Sequence, residues 1–350
     1  MKKATLLPCG HFTLGAEHRC DICAGRDAAK AARDTLAVSE PDPTWAVAAA
    51  APVIAAAAVL GTGEPQPGVY QIPDSIYHRD PLRAYGTESL SGSSARLLLP
   101  PNTPAHYRYR IDHPSDGRTP AMIFGSAVHA LTLDTADLVV FDGGSWASKA
   151  GEQFLAEHDP DGDDAPILAR DVPAAGAMAR ALLTHPIVKM GLSNGEPERA
   201  VFAQHPATGV WLRGKLDYLA RAAGDHLIIT DIKTAESASV AEFTRAVGKL
   251  SYHIQDAHYA RIIRLLRLAK KVTMIFATVE KSPPYLVNVH QIDSEDLKRA
   301  EELDEMAIGR FAHCLDTGEW PGYPERINKI TLPPWVARAE DEALCEGGDE

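Results

Sequence analysis

Apolar and polar residues alternate along this chain at two different periods. In residues 199–204 and 210–235 the period is two, the signature of half-buried strands. The second stretch reads as a hairpin. Its first arm is Val-Trp-Leu-Arg-Gly-Lys-Leu-Asp217-Tyr-Leu, its turn Ala223-Gly224-Asp225, and its second arm Leu-Ile-Ile-Thr-Asp231-Ile232-Lys233-Thr. Residues 272–279 and 285–291 predict two more strands, separated by Ser282-Pro283-Pro284. Helical spacing and capping residues predict helices over 89–99, 120–134, 172–183, 239–249, 253–271 and 293–315. The stretch from Glu319 onward reads as irregular. Strands in the middle with helices on both sides predict an α/β sandwich.

The hairpin carries the first chemical signal. Residues two apart on a strand share a face, so Asp231 and Lys233 project together while Ile232 turns into the core. Each apolar arm carries a carboxylate, Asp217 on one and Asp231 on the other. Unpaired buried charge is costly, and a divalent cation would offset it. A Glu at the start of the preceding strand, Glu198, and an i,i+4 pair downstream, Gln255 and Tyr259, stand in the same order along the chain. Glu198 is preferred to Glu196 because it abuts the strand.

Composition bounds the alternatives. The 350 residues can hold one large domain with appendages. The net charge of −12 disfavours a nucleic-acid partner in general, yet Arg261, Arg264 and Arg267 fall in a locally basic run at 245–271. That run is a candidate DNA-binding face. The first 30 residues are polar and unlike a secretion signal, and the alanine-rich run at 45–60 carries Pro52, so a cytoplasmic protein without a membrane span is expected. Cys9-Gly-His11 and Cys20-Asp-Ile-Cys23 form two closely spaced ligand pairs, which suit a tetrahedral structural Zn²⁺. Asp159 to Asp164 has the acids of a calcium loop without its glycine or terminal glutamate and reads as a solvated loop.

Taken together, Gly125-x-x-x-His129, Glu198, Asp217, Asp231-Ile232-Lys233 and Gln255-x-x-x-Tyr259 resemble the RecB-like branch of the PD-(D/E)XK nuclease superfamily. More narrowly, the chain resembles nuclease domains of the exodeoxyribonuclease VIII (RecE) type. The resemblance rests also on Gly-Val-Tyr-Gln-Ile at 68–72, Phe-Gly-Ser-Ala-Val-His at 124–129, and Trp-Pro-Gly-Tyr at 320–323. It implies a restriction-endonuclease-like core, a central mixed β-sheet flanked by helices, over residues 68–335. The remainder divides into a cysteine-rich segment at 1–25, an Ala/Pro-rich linker at 26–67 and an acidic tail at 336–350.

The chemistry fits those residues independently. Two cations about 4 Å apart can clamp the attacking and leaving oxygens of a phosphodiester. Asp217 and Asp231 supply carboxylates suited to Mg²⁺. The resemblance adds His129 and the Ile232 carbonyl as ligands, and a histidine makes Mn²⁺ an acceptable substitute. It implies that Lys233 acts on the water, that Glu198 serves a second metal or pairs with Lys233, and that Gln255 and Tyr259 fix Lys233, the water or the phosphate. It also implies digestion of double-stranded DNA from an end, 5′ to 3′, by a homo-oligomeric ring working with a single-strand annealing protein in recombination. The alternatives are another nuclease of the same branch and a catalytically inactive DNA-binding module. An iron–sulfur version of the branch is disfavoured, because only Cys314 and Cys345 follow the motifs.

Overall fold

The computed structural model describes residues 64–114 and 118–346, together with the backbone of three short strands before them: β1 (Thr5–Leu6), β2 (Phe12–Thr13) and β3 (Val53–Ala55). The proposed zinc ligands Cys9, His11, Cys20 and Cys23 lie outside the described residues.

A mixed eight-stranded sheet forms the centre. Its further strands are β4 (Gly68–Gln71), β5 (Ser89–Ser91), β8 (Gly195–Gln204), β9 (Trp211–Ala220), β10 (His226–Ala235), β11 (Lys271–Glu280) and β12 (Val287–His290). The order is β12-β11-β10-β9-β8-β4-β3, with β5 added alongside β9. A separate parallel pair, β6 (Leu138–Phe141) and β7 (Ala165–Leu168), stands apart from this sheet. The helices are α1 (Asp74–His78), α2 (Gly92–Ala95), α3 (Pro104–Asp112), α4 (Pro120–Leu133), α5 (Lys149–His158), α6 (Val172–Thr184), α7 (Pro186–Gly191), α8 (Val240–Leu250), α9 (Tyr252–Leu265), α10 (Ser294–Thr317) and α11 (Pro334–Glu346).

Both faces of the sheet are covered. On one, Leu216, Ile229 and Phe276 pack against Ile262 and Ile263 of α9 and Ile308 and Phe311 of α10. On the other, Tyr218, Ile232 and Val279 pack against Val128 of α4 and Met178 and Leu182 of α6. Strand alternation sends Ile229 and Ile232 to opposite faces, and a helical layer buries each. Burying one such side chain is worth about 1.5–3 kcal/mol, so the two layers fix which face of β10 carries Asp231 and Lys233. This mixed sheet between helical layers is the restriction-endonuclease-like arrangement expected from the motifs. Among the described residues no helix is long and apolar enough to cross a membrane.

The hairpin forms, but only partly. Reciprocal bonds between Ala223 and His226 close its turn, with Gly224 at φ 60°. The ladder between β9 and β10 then holds two pairs, Ile229↔Leu219 and Thr230↔Tyr218. Beyond them the arms part. β10 continues in ten-residue parallel register with β11, while β9 continues along β8.

Other elements differ from the sequence reading. Residues 89–99 are not one helix. Ser89–Ser91 pairs in parallel with Trp211–Arg213, and the helix begins afterwards behind a Ser91–Ser94 capping box. The helix read over 253–271 ends at Leu265: Arg267 turns left-handed at φ 58°, and Lys271 already begins β11. Residues 334–346 form a helix where the tail reads as irregular.

Candidate active site

Where β9 and β10 part, the Ile232 N–H has no carbonyl partner on β9. The Asp217 carboxylate fills the place, accepting that N–H at 2.7 Å through Oδ2. An unpaired buried N–H would be costly, so the aspartate has a backbone role before any chemical one. The break extends across β9 into β8. Glu198 and Asp217 are skipped in the β8–β9 register, and Glu198 sits at φ 52°, unusual for a side chain larger than glycine.

Helix α4 brings His129 to the same place. Its Nδ1 lies 3.6 Å from Asp217 Oδ2, and its Nε2 lies 3.0 Å from the Ile232 carbonyl oxygen. Ligand atoms of His129, Glu198 and Asp217 all fall within 4.8 Å of one another. Burial lowers the pKa of His129, aided by the Lys233 charge, and this keeps the imidazole neutral as ligation requires. Burial raises Glu198, and the charge of Asp217 raises it further. Burial also raises Asp217, against the pull of Lys233 and of the Ile232 N–H. Crowded carboxylates beside a neutral histidine form a donor set that suits a divalent cation. In this state His129 Nε2 donates to the Ile232 carbonyl oxygen, which leaves the ring's lone pair on Nδ1, the nitrogen on the Asp217 side. The residues therefore fit the metal.

Asp231 and Lys233 project together on the α9 side, and their side chains form an ion pair. Burial pushes Asp231 up to about 6, helped by Asp217 and opposed by Lys233. Burial alone would lower Lys233, but the charges of Asp231 and Asp217 outweigh it and raise it, so the ammonium keeps its proton. Its Nζ also lies 5.0 Å from the centre of the Tyr252 ring, a cation–π contact.

Gln255 and Tyr259 lie one turn apart on α9. Gln255 Nε2 donates to the Tyr259 hydroxyl at 3.1 Å and reaches Asp231 Oδ1 at 3.5 Å; the hydroxyl donates to the Lys215 carbonyl at 2.9 Å. Gly214 makes this brace feasible, because a Cβ there would stand 2.8 Å from the Tyr259 ring.

The structure thus brings His129, Glu198, Asp217 and the Ile232 carbonyl together, with Asp231, Lys233, Gln255 and Tyr259 adjoining. Asp231 stands on the Lys233 side, outside the three-residue cluster. Glu196 pairs with Arg199 at 2.7 Å, away from the cluster. Glu198 does not pair with Lys233; it pairs with Lys215 at 3.1 Å, because both lie on the β8–β9 side of the break. Arg261 and Arg264 are not brought to the site. Arg261 is paired with Asp304 and Glu305 at 2.7 Å each, and Arg264 with Glu301 at 2.8 Å, all on α10. Arg267 makes no ion pair among the described residues.

Sequence reasoning missed Tyr252, Lys215 and Asp74. Lys215 lies inside the Gly-Lys-Leu-Asp run, two residues before Asp217; nothing local marks Asp74. Asp74, Arg118, His129, Asp163, Glu198 and Lys215 line an open cleft of about 660 Å³ that leads to the cluster.

A family model described as "PDDEXK-like domain of unknown function (DUF3799)" matches residues 101–333, well over half of the chain. It spans all the site residues named above except Asp74. Among curated proteins none matches the chain. Among solved structures the chain is similar to a "Putative exonuclease" from Eubacterium rectale, at 14% identity and a TM-score of 0.49, covering 77% of this chain and 98% of that one. It is similar also to SSO0001, at 16% identity and a TM-score of 0.22, covering 39% of this chain and 68% of that one.

Proposed function

The chain belongs to the PDDEXK-like family designated DUF3799, and from that premise we propose that it is a divalent-metal-dependent nuclease centred on the parting of β9 and β10. The observation that carries this reading is the cluster of His129, Glu198 and Asp217 within 4.8 Å, with the Asp231–Lys233 pair on the adjoining strand.

His129, Asp217, Glu198 and the Ile232 carbonyl would hold the metal, with Asp231 available to a second ion. Bound divalent cations supply a nucleophilic water at neutral pH and shield the charge that builds on the phosphate. The protein's own groups do the rest. Asp231 and Tyr252 hold Lys233 as a charged donor, suited to orienting the attacking water and shielding a phosphate oxygen. Gln255 and Tyr259 brace Asp231 against β9. Asp217 anchors the Ile232 N–H, and in an extended strand the carbonyl of the same residue points to the same side.

Mg²⁺ is the proposed ion, with Mn²⁺ able to substitute. The proposed substrate is double-stranded DNA at its ends, digested 5′ to 3′ to leave 3′ single strands for annealing. The proposed assembly is a homo-oligomeric ring acting with a single-strand annealing protein. Substrate, polarity, assembly and partner rest on the resemblance to exodeoxyribonuclease VIII. The N-terminal Cys9, His11, Cys20 and Cys23 are proposed to hold one zinc, to be counted by elemental analysis of protein purified without chelator.

The test is incubation with Mg²⁺ and linear duplex labelled at either end, beside closed circular DNA. The reading predicts release of label from the 5′ end, an intact circle, and full inhibition by chelator. Cutting of the circle would contradict the exonuclease assignment. Failure to cut any DNA with Mg²⁺ or Mn²⁺ would contradict the nuclease assignment itself.

A further inference from the structure

Lys215 is shared between two carboxylates. Its Nζ lies 3.1 Å from Glu198 Oε2 and in direct contact with Asp74 Oδ1. The lysine side chain is 14% exposed, so it needs a counter-charge close by. Only one of its two partners belongs to the metal-ligand cluster. Asp74 opens helix α1, outside that cluster and outside the segment matched by the family model.

This arrangement creates a competition. A cation entering between His129, Glu198 and Asp217 needs the Glu198 carboxylate that Lys215 also uses. An ammonium at 3.1 Å from the ligand oxygen would repel the incoming ion. The lysine can yield Glu198 without losing its counter-charge only because Asp74 remains in contact with it. Capping does not account for Asp74. An acid in a helix's first turn stabilises it without any tertiary partner, whereas this one reaches 141 residues along the sequence to Lys215.

Resting on the metal-dependent reading above, we propose that Asp74 is a positioning residue: it shares the Lys215 charge with Glu198, so that the lysine can release Glu198 to a cation, and thereby sets the affinity of the cluster for a divalent cation. Without it, Glu198 becomes the lysine's sole counter-ion among the described residues and is less available to metal. A simple long-range pull of Asp74 on the cation predicts something different. That pull would not depend on Lys215, and solvent would screen it, since Asp74 is 45% exposed.

The experiment is calorimetric titration of Mn²⁺ into the full chain as wild type, Asp74→Asn, Lys215→Met and the double variant. Coupled neighbours interact by about 0.5–3 kcal/mol, and a tenfold change, about 1.4 kcal/mol, lies within that range. Asp74→Asn is expected to weaken Mn²⁺ binding about tenfold, and Asp74→Glu to restore it. In the Lys215→Met background, Asp74→Asn should change binding less than about twofold. Equal losses in both backgrounds, or no loss in either, would overturn the proposal.

If Lys215→Met does not fold, Asp74→Asn alone decides through cleavage. The Mn²⁺ concentration at half-maximal rate should rise while the rate at saturating Mn²⁺ is kept. A lower saturating rate with unchanged metal dependence would overturn the proposal. The two readings fail differently. A wild type that binds no Mn²⁺ removes the metal site; a wild type and an Asp74→Asn variant that bind equally remove only the role of Asp74.

Discussion

Asp217 and Ile232 are joined by one hydrogen bond, from the Ile232 N–H to Asp217 Oδ2 at 2.7 Å, at the point where two paired strands separate. One carboxylate therefore completes the backbone of β10 and faces His129 and Glu198. A site built this way places the proposed ligands through the strand geometry itself, and the Ile232 carbonyl points to the same side as the anchored N–H.

The two duties of Asp217 are separable. Asp217→Asn retains an oxygen for the Ile232 N–H and removes the charge. It is expected to unfold within about 1 kcal/mol of wild type, because a neutral hydrogen bond is worth about 0.5–1.5 kcal/mol, and to lose cleavage. Asp217→Ala leaves the N–H unpaired and should cost about 1–3 kcal/mol in addition. Denaturant unfolding of both variants checks this, and equal stability of the two would contradict the backbone role.

Lys233 is held by Asp231 on one side and the Tyr252 ring on the other. Lys233→Ala should reduce single-turnover cleavage by about 10²- to 10³-fold, the usual cost of removing one preorganised charged donor from a reacting centre. Tyr252→Phe keeps the ring face and should cut nearly as wild type. Tyr252→Ala frees the ammonium and should fall between them. A Tyr252→Ala variant as fast as wild type would show that the ring does not position the lysine.

The central strands, their turn and the helix caps were legible in the sequence because local signals fix them. Ser239 caps α8 and Asp293 caps α10, both where the sequence reading starts those helices. Ile232 between Asp231 and Lys233 gave the facing of β10 by alternation alone. What stayed hidden depends on partners distant along the chain. Ser89–Ser91 is a strand only because Trp211–Arg213 lies beside it. The hairpin reads as fully paired because no local signal marks where β9 turns from β10 to β8. Lys215 and Asp74 meet across 141 residues, and the arginines of α9 read as free because the acids of α10 that pair with them follow some 40 residues later.

Arg261 illustrates the consequence. Its partner Asp304 is fully buried and is also bound by His258 at 2.7 Å. Burial would raise the Asp304 carboxyl, but His258 and Arg261 outweigh it and hold it below its usual value. This stability is present above the unfolded carboxylate pKa and is lost as pH falls through the folded one. Arg261→Ala should therefore destabilise the fold by roughly 3 kcal/mol, the lower end for breaking a buried pair, since Arg261 is partly exposed. It should leave the salt dependence of DNA binding unchanged. A flatter salt slope would instead assign Arg261 to a phosphate contact.

Asp256 carries the opposite sign. It is buried, its Oδ2 has no hydrogen-bond partner among the described residues, and burial together with the charge of Asp231 pushes it up to about 7 from 3.8. The folded protein then keeps this proton where the unfolded chain releases it, so stability falls as pH rises between those values. Asp256→Asn should raise the melting temperature at pH 8, with a gain on the order of a few kcal/mol that disappears by about pH 4. Thermal unfolding at the two pH values checks it; a gain independent of pH would contradict the assignment.

The parting of β9 and β10 is proposed as a metal-dependent cutting centre. The most direct measurement is calorimetric titration of Mn²⁺ into wild type, Asp217→Asn and Lys233→Ala, with single-turnover cleavage of linear duplex by the same samples. Wild type is expected to bind Mn²⁺ and cut, Asp217→Asn to lose both, and Lys233→Ala to keep at least one ion while losing cleavage. Mn²⁺ binding by Asp217→Asn equal to wild type, or cutting by Lys233→Ala near the wild-type rate, would contradict it.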